Sequence, residues 1–260
     1  MTPIAFPSPV FVVADDGTRL ATYSVGDEGA PTVLAVHGFA SHAVLNWETA
    51  GWLRTLTRAG YRVVALDQRG HGASEKPHRP DAYAVDGMVG DIVRVIESYD
   101  LVAPHYLGYS LGARMGWVLG LEHPELVATL SLGGLTVGEP LRHFDAEAAR
   151  ARLTDGGEID DRFTRAFVGM AEGVQGNDLA ALVAVADGIR GGAHPEPGGG
   201  HPAVPTLLVT GDADPIAPGG ARLADEAGAR FVSVPGRDHT STVPARAFKE
   251  AVLAFLAEHA

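Results

Sequence analysis

Cysteine is absent from the 260 residues, which excludes a disulfide framework, a thiolate metal site and a cysteine nucleophile. Basic charge is scarce: 20 lysines and arginines stand against 32 acidic residues, a formal net charge of -12. No basic run offsets that balance, so a phosphate-rich partner would be repelled, and nucleic acid is not an expected partner. No stretch approaches the roughly 18 apolar residues of a membrane span. The opening residues, MTPIAFPSPVFVVAD, lack a basic n-region and a continuous apolar h-region. They do not read as a signal peptide, and a cytoplasmic protein without a membrane partner is expected. What remains is ordinary for a globular chain, 46% hydrophobic and 20% charged, enough for one large domain or a core with a small insertion.

Short valine- and leucine-rich runs recur along the chain at Thr32–Val36, Arg62–Leu66, 104–107, 126–132, 206–210 and Arg230–Val234. Continuous apolar runs of this kind suit strands buried on both faces, as in parallel sheets. Val10–Val13 and Arg19–Val25 flank Asp16-Gly17, a hairpin turn signal. Segments with helical spacing lie between the runs, at 47–59, 85–99, 111–123, 219–227 and 245–259. Strands alternating with helices predict an α/β fold entered by a hairpin.

One interval breaks the alternation. Residues 135–202 hold no valine-rich strand, only helical stretches at 145–153, 159–172 and 179–189. The interval ends in GGAHPEPGGG, residues 191–200, whose composition is that of a mobile linker. The expected organisation is therefore a core of residues 1–134 and 203–260 with a helical insertion over the carboxyl edge of the sheet, where open α/β sheets bind ligands.

Chemistry concentrates at a few turns. Gly108-Tyr109-Ser110-Leu111-Gly112 places a serine where an apolar run gives way to a helix, and the glycines relieve crowding around a sharp turn. A serine hydroxyl needs a base, and the base needs an orienting acid. Beyond residue 214, only His239 and His259 remain; His239 follows the final apolar run, whereas His259 sits in a terminal turn. For the acid, Asp212 and Asp214 both follow the run at 206–210. Pro215 biases Asp214 away from helical geometry and makes it the favoured choice, with Asp212 stabilising the turn. The oxyanion donors expected are the backbone N–H groups of Leu111 and of Phe39, in the turn after Thr32–Val36. Phe39, Tyr109 and the insertion residues Phe163, Phe167 and Met170, spaced along one helical face, are candidates to line a substrate pocket. His37, His42 and His71 lack ligand spacing and read as scattered surface or loop histidines, so no metal and no cofactor are expected.

Together these residues resemble the α/β-hydrolase superfamily. The chain carries His37-Gly38, the loop Asp67-Gln68-Arg69-Gly70-His71-Gly72-Ala73-Ser74, Gly108 to Gly112, Gly211-Asp212-Ala213-Asp214-Pro215-Ile216-Ala217-Pro218 and a late histidine, in the superfamily's order. The resemblance implies an eight-stranded, mostly parallel sheet with a small helical cap after strand six, and a structural role for the Asp67–Ser74 loop. It also implies a serine hydrolase acting on a small-molecule carboxylic ester, lactone or thioester, with Ser110, His239 and Asp214 as triad. Members that open epoxides or haloalkanes use an aspartate where this chain has Ser110. The rivals are a carbon–carbon bond hydrolase of ring-cleavage products and a ligand receptor with vestigial turnover.

Overall fold

Alternation along the buried strands explains why one sheet carries two helical layers. In Thr32–Val36, Val33 and Ala35 pack toward one apolar cluster while Leu34 and Val36 pack toward the other. The same split divides Val63 and Ala65 from Val64 and Leu66 in Arg62–Leu66, the two-residue period of a strand covered on both faces. The computed structural model describes residues 4–260, so the first three residues of the N-terminal segment read above lie outside the described residues.

The sheet comprises β1 (Val10–Val13), β2 (Arg19–Val25), β3 (Thr32–Val36), β4 (Arg62–Leu66), β5 (His105–Tyr109), β6 (Thr129–Gly133), β7 (Thr206–Gly211) and β8 (Arg230–Val234). Their order is β1-β2-β4-β3-β5-β6-β7-β8. β1 and β2 form the entering hairpin, β2 pairs antiparallel with β4, and the other pairings are parallel. One layer holds α1 (Trp52–Arg58) and α8 (Arg246–Ala257) around Trp47, Trp52 and Phe248, all fully buried. The Trp52 and Phe248 rings meet edge-on at 4.8 Å, an aromatic contact worth roughly 0.5–1.5 kcal/mol beyond its buried area. The opposite layer holds α2 (Val85–Ser98), α3 (Leu111–Glu122) and α7 (Gly220–Ala227). α3 lies so close to the sheet that a Cβ on Gly112 would stand 2.1 Å from the Val36 carbonyl oxygen; only glycine fits there.

Between β6 and β7 run α4 (Ala146–Asp155), α5 (Arg162–Glu172) and α6 (Leu179–Gly188). Each begins at an aspartate whose carboxylate accepts the N–H three residues on, Asp145 from Ala148, Asp161 from Thr164 and Asp178 from Ala181, a cap worth about 1 kcal/mol. α6 is buried along most of its length through Leu182, Val183, Val185 and Ala186. No helix among the described residues is long and apolar enough to cross a membrane.

The structure departs from the sequence reading in four places. The helix expected over 47–59 is divided: a wide turn over Val44–Thr49 precedes α1, and Gly51 between them is left-handed at φ 79°. Pro124–Leu126 forms a 3-10 turn, so β6 starts later than expected. β5 instead runs on through Gly108 and Tyr109, which pair with Leu132 and Gly133. The glycine-rich segment 191–200 is tied down where composition suggested a free linker. Arg114 donates to the carbonyls of Ile189, Gly192 and Ala193, and Gly138 N–H donates to that of Pro195. Composition registers the freedom of an isolated glycine chain and not the donors that a neighbouring helix brings to its carbonyls.

Candidate active site

Three loops at the carboxyl ends of β5, β7 and β8 converge. Ser110 caps the N-terminus of α3 at φ 52° and ψ −109°, a backbone conformation that non-glycine residues hold only when their surroundings enforce it, at roughly 1–3 kcal/mol. Two hydrogen bonds do so here: Ser110 N–H donates to the Gly133 carbonyl at 2.8 Å, and Arg114 N–H donates to the Ser110 carbonyl at 2.9 Å. The strained turn sets the hydroxyl toward His239, whose Nε2 lies 2.9 Å from Ser110 Oγ.

His239 Nδ1 lies 2.8 Å from Asp214 Oδ2. A carboxylate only accepts, so Nδ1 carries the proton and Nε2 is left to accept from the serine hydroxyl. The other oxygen, Asp214 Oδ1, accepts from the N–H groups of Ile216 and Ala217, which fixes the carboxylate's orientation. The Asp214 side chain is fully shielded from solvent and that of His239 nearly so. Tyr109 OH donates to the His239 carbonyl at 2.5 Å and so ties the histidine loop to β5. Asp212 is placed differently: exposed, it accepts from Gly236 N–H at 2.6 Å and ties the loop after β7 to the loop after β8.

The turn after β3 closes the other side. A Cβ on Gly38 would stand 3.2 Å from Ser110 Cβ and 3.3 Å from the Tyr109 carbonyl oxygen, so glycine lets the two loops approach. Gln68 N–H donates to His37 Nε2 at 3.1 Å, which makes Nδ1–H the donor to the Gly38 carbonyl at 2.7 Å. Burial holds His37 neutral, its pKa lowered to about 3. His71 is likewise lowered to about 3, first by burial and then by the neighbouring His37 ring 5.1 Å away. All three of the histidines read as surface or loop residues do lie in loops, but His37 and His71 are buried rather than at the surface, and only His42 is partly exposed. Asp67 accepts from Ala43 N–H, Ala73 N–H and Tyr23 OH, and so braces the loops around it. The backbone N–H groups of Phe39 and Leu111 have no acceptor among the described residues.

Two cavities meet at Ser110. The larger, ≈ 480 Å³, is walled by Phe39, Leu45, Tyr109, Met170 and Val243 and also reaches His239. The smaller, ≈ 50 Å³, is walled by Leu111, Arg114, Leu141, Phe167 and Ile216 together with Phe39. The insertion supplies Met170 and Val174 to the first and Leu141, Phe167 and Ile189 to the second, and Asn177 Nδ2 donates to the Ala40 carbonyl. Phe163 lines neither cavity; its ring packs 4.8 Å from that of Phe167, one helical turn behind it. Sequence reasoning missed Leu45 and Arg114. The one signal was an arginine inside the otherwise apolar run LGARMGWVLGL of α3. Among the described residues, no three His, Asp or Glu side chains are grouped to hold a metal ion.

A family model described as "alpha/beta hydrolase fold" matches residues 31–150. Curated relatives include "Epoxide hydrolase B" of Mycobacterium tuberculosis, 37% identical over 114 residues that make up 43% of this chain and 31% of the relative. "AB hydrolase superfamily protein YfhM" of Bacillus subtilis is 32% identical over 121 residues, 45% of this chain and 40% of the relative. The match thus spans 31–40% of those relatives' lengths. Among solved structures, a hydrolase from Pseudomonas aeruginosa aligns at TM-score 0.76 and 24% identity, covering 95% of this chain and 98% of that one. The enol-lactonase from Burkholderia xenovorans aligns at TM-score 0.74 and 23% identity, covering 95% and 100%. Residues 31–150 thus match the α/β-hydrolase family model, and the eight-stranded sheet has the α/β-hydrolase fold.

Proposed function

We propose that the protein is a serine hydrolase that cleaves a carboxylic ester or a related acyl compound, a lactone or thioester, through an acyl-enzyme. The observation that carries this reading is the unbroken chain Asp214–His239–Ser110, with links of 2.8 and 2.9 Å, opening onto an apolar cavity. Ser110 Oγ attacks the carbonyl carbon as its proton passes to His239 Nε2, and Asp214 stabilises the imidazolium. The unpaired N–H groups of Phe39 and Leu111 receive the negative charge that develops on the carbonyl oxygen, where preorganised donors are most effective. Nε2 then gives its proton to the departing alkoxide, and the alcohol leaves. Water repeats the sequence on the acyl-serine: it adds to the carbonyl, its proton goes to Nε2 and then to Ser110 Oγ, and the acid is released. No redox change and no cofactor enter these steps.

The epoxide hydrolases among the relatives raise a second substrate class, and the nucleophile weighs against it. A carboxylate opening an epoxide forms an ester that water can cleave at its carbonyl. A serine hydroxyl doing the same forms an ether, which has no carbonyl and stays on the enzyme. The test is a panel of p-nitrophenyl esters, lactones and a thioester beside styrene oxide, for wild type and Ser110→Ala. The reading expects turnover of acyl compounds by wild type alone. Turnover of the epoxide with none of the acyl compounds would refute it.

A further inference from the structure

The wall of the small cavity includes an arginine whose hydrogen bonds are incomplete. Arg114 on α3 is 5% exposed. Its Nε donates to the Ala193 carbonyl and its Nη2 to those of Ile189 and Gly192. Glu139 stands 3.6 Å from Nη2 and is itself occupied, accepting from the N–H groups of Leu141 and Gly191. Nη1 is buried and has no acceptor. Anchoring the loop over 189–193 uses three of the five guanidinium N–H donors and leaves the two on Nη1 unused. Buried polar groups are rarely left so, and Arg114 is part of the wall of a cavity that also contains Ser110.

We propose that Arg114 Nη1 recognises a carboxylate on the acyl half of the substrate, so that the enzyme acts on half-esters, or on carboxy-substituted lactones, of short dicarboxylic acids. This rests on the serine-hydrolase reading above. The direction of the substrate follows from the two cavities. His239 must protonate the leaving group, and it borders the large cavity but not the small one; the alcohol therefore departs into the large apolar space. Leu111, an oxyanion donor, borders the small cavity, which places the acyl group there. A volume of ≈ 50 Å³ takes about three to five water-sized groups at roughly 10–15 Å³ each, enough for a carboxymethyl group and too little for a fatty chain. With Nε and Nη2 committed to the loop carbonyls, Nη1 offers a carboxylate charge-assisted hydrogen bonds from one nitrogen. Glu139 faces the Nη2 side of the guanidinium, and its charge moderates the attraction without occupying Nη1.

Benzyl hydrogen malonate and benzyl isovalerate test this directly, since their acyl groups have the same shape and differ in carrying a carboxylate or two methyls. Wild type should favour the malonate by about 10²-fold in kcat/KM, near the upper end of what one hydrogen bond to a charged group contributes. In Arg114→Gln that ratio should fall to near one, and Arg114→Lys, which keeps the charge, should retain part of it. Where neither variant folds, the wild-type ratio decides together with competitive inhibition by malonate but not by isovalerate. Turnover of both esters at a wild-type ratio of one or below would overturn the inference and leave the hydrolase reading intact. A ratio unchanged in a folded Arg114→Gln would equally remove Arg114 from the role. Failure of wild type to hydrolyse either ester, with Ser110 unreactive toward diisopropyl fluorophosphate, would overturn both.

Discussion

Exchanging Asp214 for asparagine changes one oxygen for an amide nitrogen, and the surroundings determine which. Asp214 Oδ1 accepts from two backbone N–H groups, those of Ile216 and Ala217, so the amide oxygen of the variant takes that side. The amide nitrogen is then turned toward His239 Nδ1, 2.8 Å away in wild type. Two donors cannot face each other, so the imidazole adopts the other tautomer, with Nδ1 accepting and Nε2 protonated. Nε2–H now points at Ser110 Oγ and cannot take its proton. The loss expected is about 10³–10⁴-fold in kcat, or about 4–5.5 kcal/mol of transition-state stabilisation. Asp212→Asn makes the same chemical change two residues away, where the cost is confined to an exposed bond with Gly236 N–H. Its kcat should stay within about threefold of wild type, with up to about 1.5 kcal/mol lost in stability. Both variants are compared on p-nitrophenyl butyrate, with thermal melts alongside. Equal losses, the reverse order, or an Asp214→Asn enzyme within tenfold of wild type would refute the reasoning.

The strain at Ser110 predicts a separation of stability from activity: Ser110→Gly should gain about 1–2 kcal/mol in urea unfolding while losing at least about 10³-fold in turnover. His37 and His71 stay neutral in the fold down to about pH 3, whereas unfolded histidines take up protons below about pH 6.5. Stability should therefore fall as pH drops through that window, and His71→Leu should flatten the decline by about 1.4 kcal/mol per pH unit; an unchanged slope would contradict the buried neutral state. Met170→Ala should shift relative kcat/KM between esters of short and long alcohols with little change in melting temperature. Phe163→Ala should leave that preference alone and cost about 1–3 kcal/mol in stability, and the opposite pattern would place Phe163 in the cavity wall.

Much of this was legible in the sequence because it rests on local chemistry. Strands β3, β4 and β8 read correctly at both ends because apolar runs bounded by loops announce themselves. Ser110, Asp214 and His239 stand out because each follows such a run, and the parallel sheet brings the ends of β5, β7 and β8 to one edge. What stayed hidden depends on partners distant in the chain. His37 and His71 are loop histidines whose burial comes from loops distant in the chain that meet around Asp67. The anchored state of 191–200 depends on Arg114, some 80 residues earlier. Gly51, where the helical pattern over 47–59 divides, was the one local sign of a break, and its left-handed turn sits at the start of α1. Phe163 and Phe167 share a helical face, yet Phe167 reaches the cavity wall while Phe163 packs behind it, a difference that spacing alone does not carry.

The central claim is that Ser110 is the nucleophile, and covalent labelling tests it most directly. Wild type is treated with a fluorophosphonate, digested, and the modified peptide mapped by mass spectrometry. The account predicts one phosphonylated residue, Ser110, with labelling abolished in Ser110→Ala and strongly slowed in Asp214→Asn. A label on any other residue, or a wild type that remains unlabelled while it turns over acyl substrates, would contradict it.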